Sequence, residues 1–121
     1  MAKTILVVDD STSLRKVVNL ALAGVGYQVL EAEDGEAALK MLDGREISMV
    51  VCDVNMPKMN GIEFVKAAKG LAKYKFMPIL MLTTESQDAI KNEGKAAGAR
   101  AWMVKPFSPS QLIAAVDKIC P

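Results

Sequence analysis

Short unbroken apolar runs alternate with segments of helical period along the whole chain, and this alternation restricts the fold more than any other feature. Ile5-Leu6-Val7-Val8, Met49-Val50-Val51-Cys52 and Met77 to Leu82 are such runs, the last with Pro78 near its start. Runs of this length suit strands buried on both faces of a parallel sheet. Gln28 to Ala32 and Ala101 to Val104 are weaker strands, expected nearer the sheet edges.

The segments between them read as helices. Leu14, Val17, Val18, Ala21, Leu22 and Val25 form one apolar stripe at helical spacing, with Gly24 and Gly26 as stop signals. Ala38, Met41 and Leu42 mark a second helix after Asp34-Gly35, and Phe64, Val65, Ala68, Leu71 and Ala72 a third. A fourth, about Gln87 to Ala97, is weakly specified and carries Gly94 in its interior. The last begins at a capping box, Ser108-Pro109-Ser110-Gln111, with Leu112, Val116 and Ile119 on one face. Five β-α units imply an α/β fold: a doubly wound five-stranded parallel sheet with helices on both faces. The expected strand order is 2-1-3-4-5, with a topological switch point between strands 1 and 3.

Composition bounds the function. At 121 residues and 51% hydrophobic, the chain makes one domain, residues 1–121, with room for a packed core. Fifteen Lys and Arg stand against 14 Asp and Glu, which argues against nucleic-acid binding by charge alone. No stretch approaches the roughly 18 apolar residues of a membrane span. Cys52 and Cys120 form no CxxC pair and read as reduced thiols of a cytoplasmic protein. Histidine is absent, which removes Ser-His-Asp and Cys-His catalysis, His-ligated metals and any phosphohistidine donor role.

What ends strands 1, 3, 4 and 5 is more specific. Strand 1 ends in Asp9-Asp10, strand 3 in Asp53, strand 4 in Thr83-Thr84 and strand 5 in Lys105-Pro106. In a doubly wound sheet these carboxyl ends share the edge where ligands bind. Three carboxylates there repel, by about 4 kcal/mol per pair at ~4 Å and an effective dielectric of ~20. A proton or a cation must relieve them. Oxygen ligands without His or Cys favour Mg2+, or Mn2+ in its place, and Mg2+ commonly joins carboxylates to a phosphate oxygen. Lys105 adds a compact cation for the same group. Taken singly, each aspartate fits a loop or N-cap role equally well; the set on these four strands points to phosphate. Cys52 is expected in the core, the methionines read as core filler, and Met56 and Met59 flank the site as covers.

ILVVDD (Ile5 to Asp10), VVCDVNMPKMNG (Val50 to Gly61), MLTTE (Met81 to Glu85) and VKPF (Val104 to Phe107) occur in order. By these motifs the chain resembles, over nearly its whole length, the receiver domain of bacterial two-component response regulators, most nearly the stand-alone chemotaxis type. The 2-1-3-4-5, flavodoxin-like order is that of this family's own proteins. The resemblance implies that Asp53 is the phosphoacceptor. It implies Mg2+ ligation by Asp10, Asp53 and the Asn55 carbonyl, with Asp9 acting through water. Lys105 would pair with the phosphoryl oxygens, Thr83 would donate its hydroxyl to them, and the Lys105-Pro106 bond would be cis. Asn55 and Glu85, flanking the phosphoryl site, would modulate dephosphorylation. The family's switch aromatic falls on Trp102, where Tyr or Phe is more usual. Two readings stay open there: inward rotation on activation, or an indole packed permanently across the fourth helix.

The chain stops just past the fifth helix, so the expected output is a surface, that of the fourth helix, fifth strand and fifth helix. Lys91, Lys95, Arg100, Trp102 and Lys118 make it mildly basic, suited to an acidic peptide. The implied partners are a sensor histidine kinase as phosphodonor, the flagellar motor switch as target and a possible phosphatase, with no nucleic acid, no membrane and a monomeric state. The chain would be no enzyme beyond catalysing its own phosphorylation and dephosphorylation. A phosphorelay receiver acting on a histidine phosphotransfer protein or kinase shares the chemistry. An aspartate-nucleophile phosphatase would usually carry Asp where Asn55 stands. A flavodoxin-like cofactor binder would set a flavin phosphate against Asp9 and Asp10.

Overall fold

The computed structural model describes residues 3–54, 56, 59–83 and 97–120. Five strands, β1 (Thr4–Val8), β2 (Gln28–Ala32), β3 (Met49–Asp53), β4 (Ile79–Thr83) and β5 (Ala101–Val104), form one sheet. All pairings are parallel and the order is β2-β1-β3-β4-β5, as expected. The described helices are α1 (Thr12–Ala23), α2 (Gly35–Met41), α3 (Gly61–Lys69) and a C-terminal helix (Pro109–Ile119).

The unbroken apolar runs are explained by two cores, one on each face of the sheet. Leu6, Val8, Val50, Cys52, Ile79 and Met81 point to the side covered by α2 and α3, with Phe64 and Val65 packed on them. Ile5, Val7, Met49, Val51, Leu80 and Leu82 point to the other side, against Val18 and Leu22 of α1 and Leu112 and Val116 of the C-terminal helix. Successive strand residues thus both bury, and each such side chain contributes roughly 1.5–3 kcal/mol. The edge strands β2 and β5 hold mostly half-buried residues. Pro78 lies just before β4, where its carbonyl accepts from Val50 N–H at 3.1 Å and its missing N–H loses no ladder bond.

Local signals fix the helix starts. Ser11, Asp34, Asn60 and Ser108 cap the four helices with their side chains, and Asn60 and Ser108 form full capping boxes with Glu63 and Gln111. Two expectations need correction. Val17 is 49% exposed because α1 turns only the Val18 and Leu22 side fully onto the sheet, and Val25 is 51% exposed because it lies past the Gly24 cap, outside the helix. The third helix ends at Lys69 with Gly70 as its cap, so Leu71 lies outside it, exposed, and Ala72 enters a separate 3-10 turn. The fourth expected helix, apart from Ala97, lies outside the described residues.

Candidate functional site

The carboxyl edge of the sheet is built by ladder bonds that run past the strand ends. Asp9 N–H donates to the Ala32 carbonyl at 3.2 Å, Val54 N–H to Leu82 at 2.9 Å, and Lys105 N–H to Thr83 at 2.7 Å. These bonds place Asp9, Asp53, Thr83 and Lys105 on one rim. Asp9, Asp53 and Thr83 are buried, at 2%, 4% and 0% exposure, while Asp10 is exposed.

Carboxylate oxygens of Asp9, Asp10 and Asp53 lie within 4.8 Å of one another. Lys105 reaches into the group, its Nζ 3.4 Å from Asp9 Oδ2 and 3.3 Å from Asp53 Oδ1. The other Asp9 oxygen accepts from Ser11 N–H at 2.8 Å, which ties this carboxylate to the start of α1. Three carboxylates around one ammonium leave excess negative charge in a partly buried setting. An all-oxygen donor set so close fits a hard divalent cation such as Mg2+.

Cys52 beside the candidate acceptor is core, as expected, and its Sγ donates to the Asp53 carbonyl at 3.3 Å. Burial, with smaller contributions from the Asp53 and Asp9 charges, pushes its thiol well above the ordinary value. The neutral thiol is therefore no rival nucleophile. The Lys105-Pro106 peptide is cis, as expected. Met56 and Met59 both pack against the core under α2 and α3, with the Met59 side chain lying on Gly35.

Trp102 pairs in register with Met81, and Thr83 with Val104, so Trp102 and Thr83 share a sheet face one ladder step apart. The indole is half-buried against the α2 and α3 side, and its Nε1 is buried with no hydrogen-bond partner among the described residues. Arg100, Trp102 and Lys118 line a common cleft with Ala115 and Ile119. Asn55, Thr84, Glu85, Lys91 and Lys95 lie outside the described residues.

Two residues that sequence reasoning missed stand behind the rim. Arg15 Nη1 donates to the Asp9 carbonyl at 2.7 Å, and Gly61 N–H donates to the Val54 carbonyl at 2.8 Å. Gly61 had a signal, since it follows a capping residue and closes the MNG motif. Arg15, one turn into an amphipathic helix, reads as a solvated charge until its partners are known.

Comparison with known proteins agrees with this geometry. The response regulator receiver domain family matches residues 5–117. The chain is 40% identical over 110 residues to chemotaxis protein CheY1 of Helicobacter pylori, covering 89% of each chain. It is 42% identical over 110 residues to the CheY homolog of Campylobacter jejuni, covering 89% of this chain and 85% of that one. The solved structure of Vibrio cholerae chemotaxis protein CheY4 superposes with a TM-score of 0.95 at 45% identity, covering 98% of this chain and 99% of that one.

Proposed function

Because the chain belongs to the response regulator receiver domain family, we propose that it is a phosphorylation switch of the CheY type with Asp53 as the phosphoacceptor. One observation carries this reading: Asp53, nearly buried, sits in a single carboxylate cluster with Asp9 and Asp10 and 3.3 Å from Lys105. A carboxylate oxygen of Asp53 attacks the phosphorus of a phosphohistidine on a sensor kinase. The phosphorus–nitrogen bond breaks, and the electron pair leaves with the imidazole nitrogen. An ionised carboxylate needs no base to activate it, so the chain's lack of histidine is no obstacle.

The other residues position and neutralise. Lys105 pairs with the phosphoryl oxygens, and Thr83 donates its hydroxyl to them. Asp9, Asp10 and Asp53, with the Asn55 carbonyl, are the residues that would hold Mg2+, for which Mn2+ can substitute. When bound, that ion supplies charge neutralisation to the transferring group. Asn55 and Glu85 modulate the lifetime of the phosphoaspartate. The added charge and acceptor oxygens draw on Thr83 and Lys105 at the ends of β4 and β5, and so alter the surface around Trp102. That surface, with the fourth expected helix, β5 and the C-terminal helix, controls the partner, and the CheY relatives favour the flagellar motor switch of a cytoplasmic chemotaxis system.

Acetyl phosphate with Mg2+ should label the wild-type chain at Asp53. Asp53→Asn should take no label while keeping its circular dichroism spectrum; undiminished labelling of that variant would refute Asp53 as acceptor. Immobilised protein activated by Mg2+ and beryllofluoride, with Asp53→Ala as control, identifies the output. Motor-switch proteins retained only by the activated form support the chemotaxis reading, whereas histidine phosphotransfer proteins or kinases would make the chain a phosphorelay receiver.

A further inference from the structure

Arg15 lies in the first turns of α1, yet its side chain folds back toward the sheet. It is 13% exposed, and its Nε donates to Glu31 Oε1 at 3.0 Å while Nη1 donates to the Asp9 carbonyl at 2.7 Å. Glu31, on β2, is itself heavily engaged: Oε2 accepts from Lys16 at 3.0 Å and from Asn19 at 2.7 Å. Burial alone would raise the Glu31 carboxyl, but the hydrogen bonds from Asn19, Lys16 and Arg15 outweigh it and hold it below the usual range. Glu31 is thus an ionised anchor for the guanidinium. The Asp9 main chain is held from both sides, by Ala32 on its N–H and by Arg15 on its carbonyl. That carbonyl belongs to the peptide leading into Asp10.

We infer that Arg15 is a positioning residue for the divalent-cation site: clamped to Glu31, it fixes the Asp9-Asp10 peptide in the orientation that brings both carboxylates to Asp53. The inference rests on the reading of Asp9, Asp10 and Asp53 as a Mg2+ site. Two physical effects of removing Arg15 have opposite signs, which makes the proposal sharp. Loss of a cation beside an acidic cluster removes repulsion against an incoming metal ion and tightens binding. Loss of the clamp lets the peptide turn and disperses the ligands, which weakens binding. Groups that orient a metal's ligands are worth 10- to 100-fold in affinity. Arg15 acts through one backbone carbonyl, so the lower end, about tenfold, applies.

The test is Mn2+ binding by the full chain at neutral pH, read by electron paramagnetic resonance, with thermal melting in chelator measured separately. Wild type should bind and Asp10→Asn should lose binding. Arg15→Gln should bind about tenfold more weakly. Arg15→Lys should stay weaker than wild type, because one ammonium restores charge without the planar fork that spans Glu31 and Asp9. A purely structural ion pair would lower the melting temperature and leave the affinity of the folded variants unchanged. Folded Arg15→Gln that binds Mn2+ as tightly as wild type, or more tightly, overturns the inference. Should Arg15→Gln not fold, Glu31→Ala decides instead: weaker Mn2+ binding supports the clamp and unchanged binding overturns it. A wild-type chain that binds no Mn2+ overturns the metal site and this inference together, whereas binding lost in Asp10→Asn and kept in Arg15→Gln overturns Arg15 alone.

Discussion

Gly35 and Gly61 occupy equivalent places, each the first residue of its helix and each behind a side-chain cap, yet they should respond differently to alanine. A β-carbon on Gly61 would be driven into the Asp53 carbonyl oxygen, and would lie 2.8 Å from Met81 Cε and 2.9 Å from Val54 Cα. Two of those obstacles are backbone, and the Gly61 N–H bond to the Val54 carbonyl keeps α3 from sliding away. The nearest atoms to a β-carbon on Gly35 would be Cγ, Cβ and Sδ of Met59, at 2.9 to 3.0 Å, and beyond its β-carbon that unbranched thioether can turn aside. Helix propensity favours alanine over glycine by up to ~1 kcal/mol in either place. Overpacking a rigid site costs about 1–3 kcal/mol. Gly61→Ala should therefore lose about 2 kcal/mol, while Gly35→Ala should stay within about 1 kcal/mol of the wild type. Urea unfolding followed by circular dichroism measures this. With a slope of about 1–3 kcal/mol per molar, the Gly61→Ala midpoint should fall roughly 1 M below that of Gly35→Ala. Because the displaced oxygen belongs to Asp53, labelling by acetyl phosphate should also slow in Gly61→Ala. Coincident midpoints for the two variants would refute the steric reasoning.

Three further outcomes are expected. Lys105→Ala should still accept phosphate from acetyl phosphate, but its affinity for an output partner should no longer rise on phosphorylation; a retained rise would remove Lys105 from the switch. Mg2+ at a hundred times its dissociation constant should stabilise the fold by about 2.7 kcal/mol, reversibly with chelator; a melting temperature indifferent to Mg2+, or a rise that survives in Asp10→Asn, would count against the carboxylate cluster as its site. The Tyr27 hydroxyl donates to Asp117 at 2.5 Å, and that hydrogen bond, then burial and the Asp117 charge, push the phenol up to about 12. A phenol raised in the folded state contributes stability that is fully present below its unfolded value of about 10 and lost as pH rises toward 12. Wild-type urea midpoints should therefore fall more steeply than those of Tyr27→Phe above pH 10, and parallel curves would show that the bond contributes nothing.

Most of the fold was legible because its signals are local. Val7 and Val8 face opposite cores, so a strand buried on both sides must read as an unbroken apolar run. Ser108 caps its helix with Gln111 three residues later, a pairing visible in four letters of sequence. Less legible were places where a side chain's surroundings depend on distant elements. Val17 sits on the same apolar stripe as Val18, yet it borders a groove with Phe107 and Leu112 and is half exposed. Leu71 continues the period of α3, but Gly70 ends the helix before it.

By itself the sequence determined the strand order, the cap of the last helix and the set of groups that end strands 1, 3, 4 and 5. Each depends on a few adjacent residues and on a chain direction that parallel pairing makes common to all strands. Only the tertiary structure decided how those groups meet. Lys105 bridges Asp9 and Asp53 although 96 and 52 residues separate them in sequence, because β5, β1 and β3 deliver their ends to one rim. Arg15 turns inward, against the habit of a helix-surface arginine, because β2 sets Glu31 where the guanidinium can pair with it and still reach the Asp9 carbonyl. Such contacts follow from the sheet order and the twist it carries, which no short stretch of residues encodes.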